Sequence, residues 1–163
     1  MKKRWKKTAA AVFMIIALVC LAGVFLIRDS AENLELTHYT AENAGLPESF
    51  AGFKIVQLSD FHGAEFVDDI VTLVKAEKPD IIALTGDFIT DGGDLPAVRE
   101  LAQRLTDICD VYFVSGNHDF ASGKIDELSD ILKACGVKYL RNEYVVLERR
   151  GERIVLAGVE DPN

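Results

Sequence analysis

Three short stretches carry the side chains able to do chemistry: Ser59-Asp60-Phe61-His62, Thr85-Gly86-Asp87-Phe88-Ile89-Thr90-Asp91 and Ser115-Gly116-Asn117-His118-Asp119. Each follows a largely apolar run, and each opens with a small residue before its oxygen and nitrogen donors. Carboxylates, an amide oxygen and imidazoles suit Mn²⁺, Zn²⁺ or Fe ions; they make neither the thiolate cage of a structural zinc site nor an all-oxygen calcium cage. An Asp placed between two flanking turns, as Asp87 would be, could bridge two ions about 3.5–4 Å apart, a spacing that activates water and clamps a phosphoryl group. Taken singly, each group has a plainer reading. Asp60 could cap a turn, His62 could be a satisfied turn histidine, and Asn117-His118 could sit in an ordinary loop.

The elements that must position these groups follow a repeating pattern. Lys54–Leu58 reads as a strand, and Ala64–Glu77 has helical periodicity through Phe66, Ile70, Val71 and Val74. Ile81–Leu84 is a second strand; Asp94 caps a helix running to about Leu105, with Leu95, Val98, Leu101 and Leu105 on one side. Val111–Val114 is the third strand, Ile125–Ala134 a helix ended by Gly136, and Val137–Leu140 a short strand. Tyr144–Glu148 and Arg153–Ala157 read as a hairpin. Upstream, Leu34–Thr40 alternates like an edge strand, and Asn43–Gly52 reads as a loop. Strands alternating with helices imply an α/β fold around a largely parallel sheet. The carboxyl ends of parallel strands share one edge, so the three turns are expected to converge on one crevice.

With its motifs in this order, each after a strand, the chain resembles the calcineurin-like metallophosphoesterases over about residues 50 to 163. Asp60-Phe61-His62 matches Asp-x-His, Gly86-Asp87 with Asp91 matches Gly-Asp-x-x-x-Asp, and Gly116-Asn117-His118-Asp119 matches Gly-Asn-His-Asp/Glu. The resemblance implies that Asp60 and His62 bind one metal, Asp87 bridges two, and Asn117 binds the second. It implies hydrolysis of a phosphomonoester or phosphodiester by a metal-bound hydroxide. His118 would protonate the leaving oxygen, oriented by Asp91; Asp119 would support the loop and is not expected to be a ligand. The family's later histidine motifs have no counterpart, since the histidines here are His38, His62 and His118. The chain therefore reads as the N-terminal half of the layered metallophosphoesterase fold. Its second metal would have only Asp87 and Asn117, so the dinuclear site is not completed by this chain. The alternative is a non-catalytic, membrane-tethered fragment with an incomplete metal site.

The start of the chain has a different character. Residues 1–7, MKKRWKK, carry five positive charges and no acid, and the twenty residues Thr8–Ile27 carry no charge. Such a run in helix spans about 30 Å, the thickness of a bilayer's hydrocarbon core. Residues 8–27 therefore read as a transmembrane signal anchor, residues 1–7 as its cytoplasmic flank and residues 28–49 as a tether. Cys20-Leu21-Ala22 offers a poor cleavage site, the competing reading being a cleaved signal peptide. The expected location is the cell membrane, single-pass, with the domain at 50–163 outside the cytoplasm, where a lipid-linked phosphoester would be within reach. Beyond residue 27, the 18 Lys/Arg less the five in the first stretch leave 13 against 26 Asp/Glu, a net charge of −13. That acidity argues against nucleic-acid binding as the main role. Cys109 and Cys135 could pair in an oxidising compartment, although their spacing does not require it.

Overall fold

The computed structural model describes residues 13–21, 23, 34–63, 66–90, 93 and 95–161. They fall into two units, Met1–His38 and Tyr39–Asn163. In the first, residues 13–21 and 23 are helical. Among the described residues no helix is long and apolar enough to cross a membrane. The stretch 8–27 read as a span extends over residues outside that set, as does the whole of the basic flank. The edge strand expected at Leu34–Thr40 is not formed. Among the described residues this stretch forms no strand pairing, and Leu34, Leu36 and Tyr39 are 41%, 45% and 90% exposed. Alternation makes a strand only where one face is covered, and here neither is.

The second unit is built on four parallel strands, β1 (Ile55–Leu58), β2 (Ile81–Thr85), β3 (Asp110–Val114) and β4 (Lys138–Tyr139), in spatial order 1-2-3-4. Helices α1 (Val67–Glu77), α2 (Leu95–Thr106), α3 (Asn117–Ala121) and α4 (Ile125–Ala134) lie between them in the chain. Three of them present apolar stripes at helical spacing, and each stripe is buried. Val67, Ile70, Val71 and Val74 are buried on α1, Val98, Leu101 and Leu105 on α2, and Leu128, Ile131 and Leu132 on α4. They share one core with Ile82 and Leu84 of β2 and Val111 and Phe113 of β3. Full burial of such side chains stabilises the fold by about 1.5–3 kcal/mol each. The Asp94 cap of α2 lies outside the described residues. At its other end, α1 stops where Lys78 turns left-handed, with φ 51°.

Alternate strand residues face the other way. Ile81, Tyr112 and Leu140 form a second core with Phe53, Val114, Val145, Leu147 and Leu156. Three of these come from an antiparallel hairpin, β5 (Glu143–Arg149) and β6 (Glu152–Gly158), which forms a separate two-stranded sheet. Its tight turn places Arg150 and Gly151 at φ 53° and 84°, the signs a type I′ turn requires. The architecture is therefore three-layered, with helices on one face of the parallel sheet and the hairpin on the other. Within the loop expected at Asn43–Gly52, Glu48–Phe50 forms a 3₁₀ turn that buries Phe50 against Phe53. Cys109 and Cys135 are both free thiols, so no disulfide joins them.

Candidate metal centre

The carboxyl ends of β1, β2 and β3 bring the three motifs to one edge. Parallel pairing runs in register from Ile55↔Ile81 to Leu58↔Leu84 and from Ile81↔Asp110 to Thr85↔Val114, so the strands end level. Side chains tie the first two ends together: Gln57 Nε2 donates to Thr85 Oγ1 at 2.9 Å, and Thr85 Oγ1 donates to the Leu58 carbonyl at 3.4 Å. Pairing then continues past the strands. The Asp60 N–H donates to the Gly86 carbonyl at 3.2 Å and the His62 N–H to the Asp87 carbonyl at 3.1 Å.

Beyond the strands the backbone turns left-handed, with φ 57° at Asp60, 50° at His62 and 58° at Asp87. For L-residues this conformation costs about 1–2 kcal/mol each, although Asp and His tolerate it better than most. Such outliers persist only where surrounding structure holds them, and they gather at functional sites. Two glycines let the second and third turns meet. A Cβ on Gly86 would lie 2.6 Å from the Gly116 Cα, and one on Gly116 would lie 2.8 Å from the Asp87 nitrogen and run into its carboxylate. Neither position admits a side chain.

The result is a cluster in which ligand atoms of Asp60, His62 and Asp87 all lie within 4.8 Å of one another. Donors of one tetrahedral ion bound at about 2.1 Å stand about 3.4 Å apart, so these side chains must close by up to about an ångström or slightly more to share a cation. Two carboxylates and an imidazole are also the right chemistry for a borderline divalent cation. His62 Nε2 lies 3.7 Å from Asp60 Oδ1, and these side chains are 36% and 65% exposed, so the centre is open to solvent.

The third motif closes round Asp87. His118 stands edge-on to His62, with ring centroids 5.2 Å apart, and its backbone N–H donates to Asp87 Oδ1 at 3.0 Å. Asn117 opens α3 between Gly116 and His118, both of which abut Asp87, and it is exposed. Asp119 behaves differently. It has no exposed surface, and its carboxylate accepts from the backbone N–H groups of Asp87 (2.9 Å), Phe88 (2.8 Å), Ile89 (3.0 Å) and Gly116 (2.9 Å). Burial pushes the Asp119 carboxyl above its ordinary value, while the donors on Gly116, Ile89, Phe88 and Asp87 pull it back toward ionisation. The expected loop-supporting role of Asp119 thus corresponds to specific bonds. Asp91 lies outside the described residues.

Two features of the centre go beyond the sequence reading. One is that Asn117–Ala121 is a helix rather than a loop; its signal is the Gly116-x-x-Asp119 spacing, in which a carboxylate at the third helical position reaches back to the N–H that precedes the helix. The other is the backbone contact of Gly86 with Gly116, visible in sequence only as glycines at matching places in two motifs.

Comparison with known proteins agrees with this geometry. Residues 53–158 match the family model of calcineurin-like phosphoesterases. The chain is 31% identical over 142 residues to the uncharacterized metallophosphoesterase YkuE of Bacillus subtilis, covering 78% of this chain and 48% of that protein. It is 29% identical over 123 residues to the phosphodiesterase YaeI of Escherichia coli, covering 70% and 46%. It is 28% identical over 160 residues to a zebrafish (Danio rerio) transmembrane protein with metallophosphoesterase domain, covering 90% and 36%. The chain thus spans half or less of the length of each of these relatives. With the match running from just before β1 to the last residue of the hairpin, and the three motifs meeting at one sheet edge, the chain belongs to the calcineurin-like phosphoesterase family.

Proposed function

We propose that this chain contributes ligands to a divalent-metal phosphoesterase centre and is held at the cell membrane by its N-terminal segment. The observation that carries this reading is the convergence of Asp60, His62 and Asp87, whose ligand atoms lie within 4.8 Å of one another. Asp60 and His62 would hold one cation, and Asp87 and Asn117 would serve a second. Bound Mn²⁺, Zn²⁺ or Fe supplies an activated water and neutralises charge on the phosphoryl group. His118 gives a proton from its ring to the departing oxygen, a role suited to an imidazole, whose ordinary pKa lies near neutrality. Asp91 orients that ring.

The substrate class is a phosphomonoester or phosphodiester, and the name of the Escherichia coli relative, a phosphodiesterase, favours the diester. Residues 8–27 act as a single-pass anchor with the domain outside the cytoplasm; the twenty uncharged residues and the zebrafish relative's name support this. A lipid-linked phosphoester fits that location. The test is hydrolysis of bis-p-nitrophenyl phosphate by the full-length protein with added Mn²⁺. Activity lost in Asp87→Ala is the expected result. No activity, or activity unchanged in that variant, overturns the reading and leaves a tethered module without catalysis.

A further inference from the structure

We infer that Asp119 is a positioning residue whose buried carboxylate holds Asp87 in the conformation the metal centre needs. The inference rests on the phosphoesterase reading for its purpose, but on hydrogen bonds for its substance. A fully buried carboxylate is costly unless it is hydrogen-bonded, and Asp119 accepts four backbone N–H groups, two on each oxygen. Three of those donors are consecutive, Asp87, Phe88 and Ile89. Consecutive N–H groups aimed at one anion form a nest, a geometry that a left-handed residue creates; Asp87, at φ 58°, is that residue. The anion and the strained turn therefore stabilise each other.

The arrangement is reciprocal. The Asp119 carboxylate is bound by the backbone of the Asp87 turn, while Asp87 Oδ1 is bound by the His118 N–H, on the helix that carries Asp119. Two turns 32 residues apart in the chain are cross-braced through two carboxylates, only one of which faces the metal centre. An amide cannot replace the buried one. An asparagine side chain in its place would keep one accepting oxygen and turn an NH₂ toward two N–H donors, whichever way it flipped.

The experiment uses the whole chain. Mn²⁺ binding is followed by titration, and exchange of the amides of residues 87, 88, 89 and 116 by hydrogen exchange, in wild type, Asp119→Asn and Asp119→Glu. Asp119→Asn is expected to weaken Mn²⁺ binding by about tenfold or more, the loss typical when a group that orients a metal ligand is removed, and to speed exchange at those four amides while the β2 amides stay protected. Asp119→Glu, which keeps the charge and both oxygens, should recover most of the affinity. A folded Asp119→Asn protein with unchanged exchange at the four amides overturns the inference. If Asp119→Asn does not fold, Asp119→Glu decides: four protected amides support the brace, and four freed amides in a folded protein overturn it. Wild-type chain that takes up no Mn²⁺, while Asp119→Asn still frees the four amides, would sink the phosphoesterase reading and leave the brace standing.

Discussion

At the scale of single residues, the centre is set by where side chains are forbidden as much as by which are present. Gly86 and Gly116 touch through their backbones, and a Cβ on Gly116 would enter the space of the Asp87 carboxylate and nitrogen. Gly116→Ala should therefore destabilise the protein by about 1–3 kcal/mol, the usual cost of overpacking, and weaken Mn²⁺ binding at the same time. Thermal unfolding and Mn²⁺ titration read the two effects. Gly123→Ala is the control: its φ of 69° strains any side chain, but nothing lies within 4 Å of the added Cβ. It should cost stability and leave Mn²⁺ binding intact. Similar loss of binding in both variants would mean that the Gly116 effect is general unfolding.

At the scale of elements, the strands position the site and the helices on one face hold the strands. Leu105 at the end of α2 is fully buried in the core shared with β2 and β3. Leu105→Ala should lose about 2–5 kcal/mol, seen as a lower Tm, without a direct effect on the metal donors at the opposite end of the strands. Most of these elements were legible in the sequence because apolar periodicity and buried faces coincide in them. Ile125–Ala134 is formed at the bounds its stripe and Gly136 suggest, and the three metal-facing turns begin where the apolar runs stop. Elsewhere the two signals part. Leu34–Thr40 alternates but forms no strand pairing among the described residues, whereas Asn117–Ala121 has no apolar stripe and forms a helix around a carboxylate that bonds the preceding N–H. The left-handed conformations of Asp60, His62 and Asp87 were equally hidden, because bonds from other segments stabilise them.

At the scale of the whole molecule, charge is the dominant feature. The chain beyond residue 27 carries 13 Lys/Arg against 26 Asp/Glu, so an anionic phosphoester approaches against a repulsive field that salt screens. Hydrolysis should show kcat/KM rising with ionic strength up to about 0.15 M, where the screening length is about 8 Å. The rise should be steeper for p-nitrophenyl phosphate, a dianion, than for its monoanionic diester. A fall with salt would mean that a local positive field, set by bound cations, governs encounter instead. The expectations for metal binding and hydrolysis depend on Asp60, His62 and Asp87 sharing a cation. Anomalous diffraction from crystals of the chain soaked in Mn²⁺ tests that sharing directly. A peak at about 2.0–2.2 Å from a side-chain donor of each of the three residues is the expected result; no peak there, or Mn²⁺ bound only at other acidic groups, would contradict it.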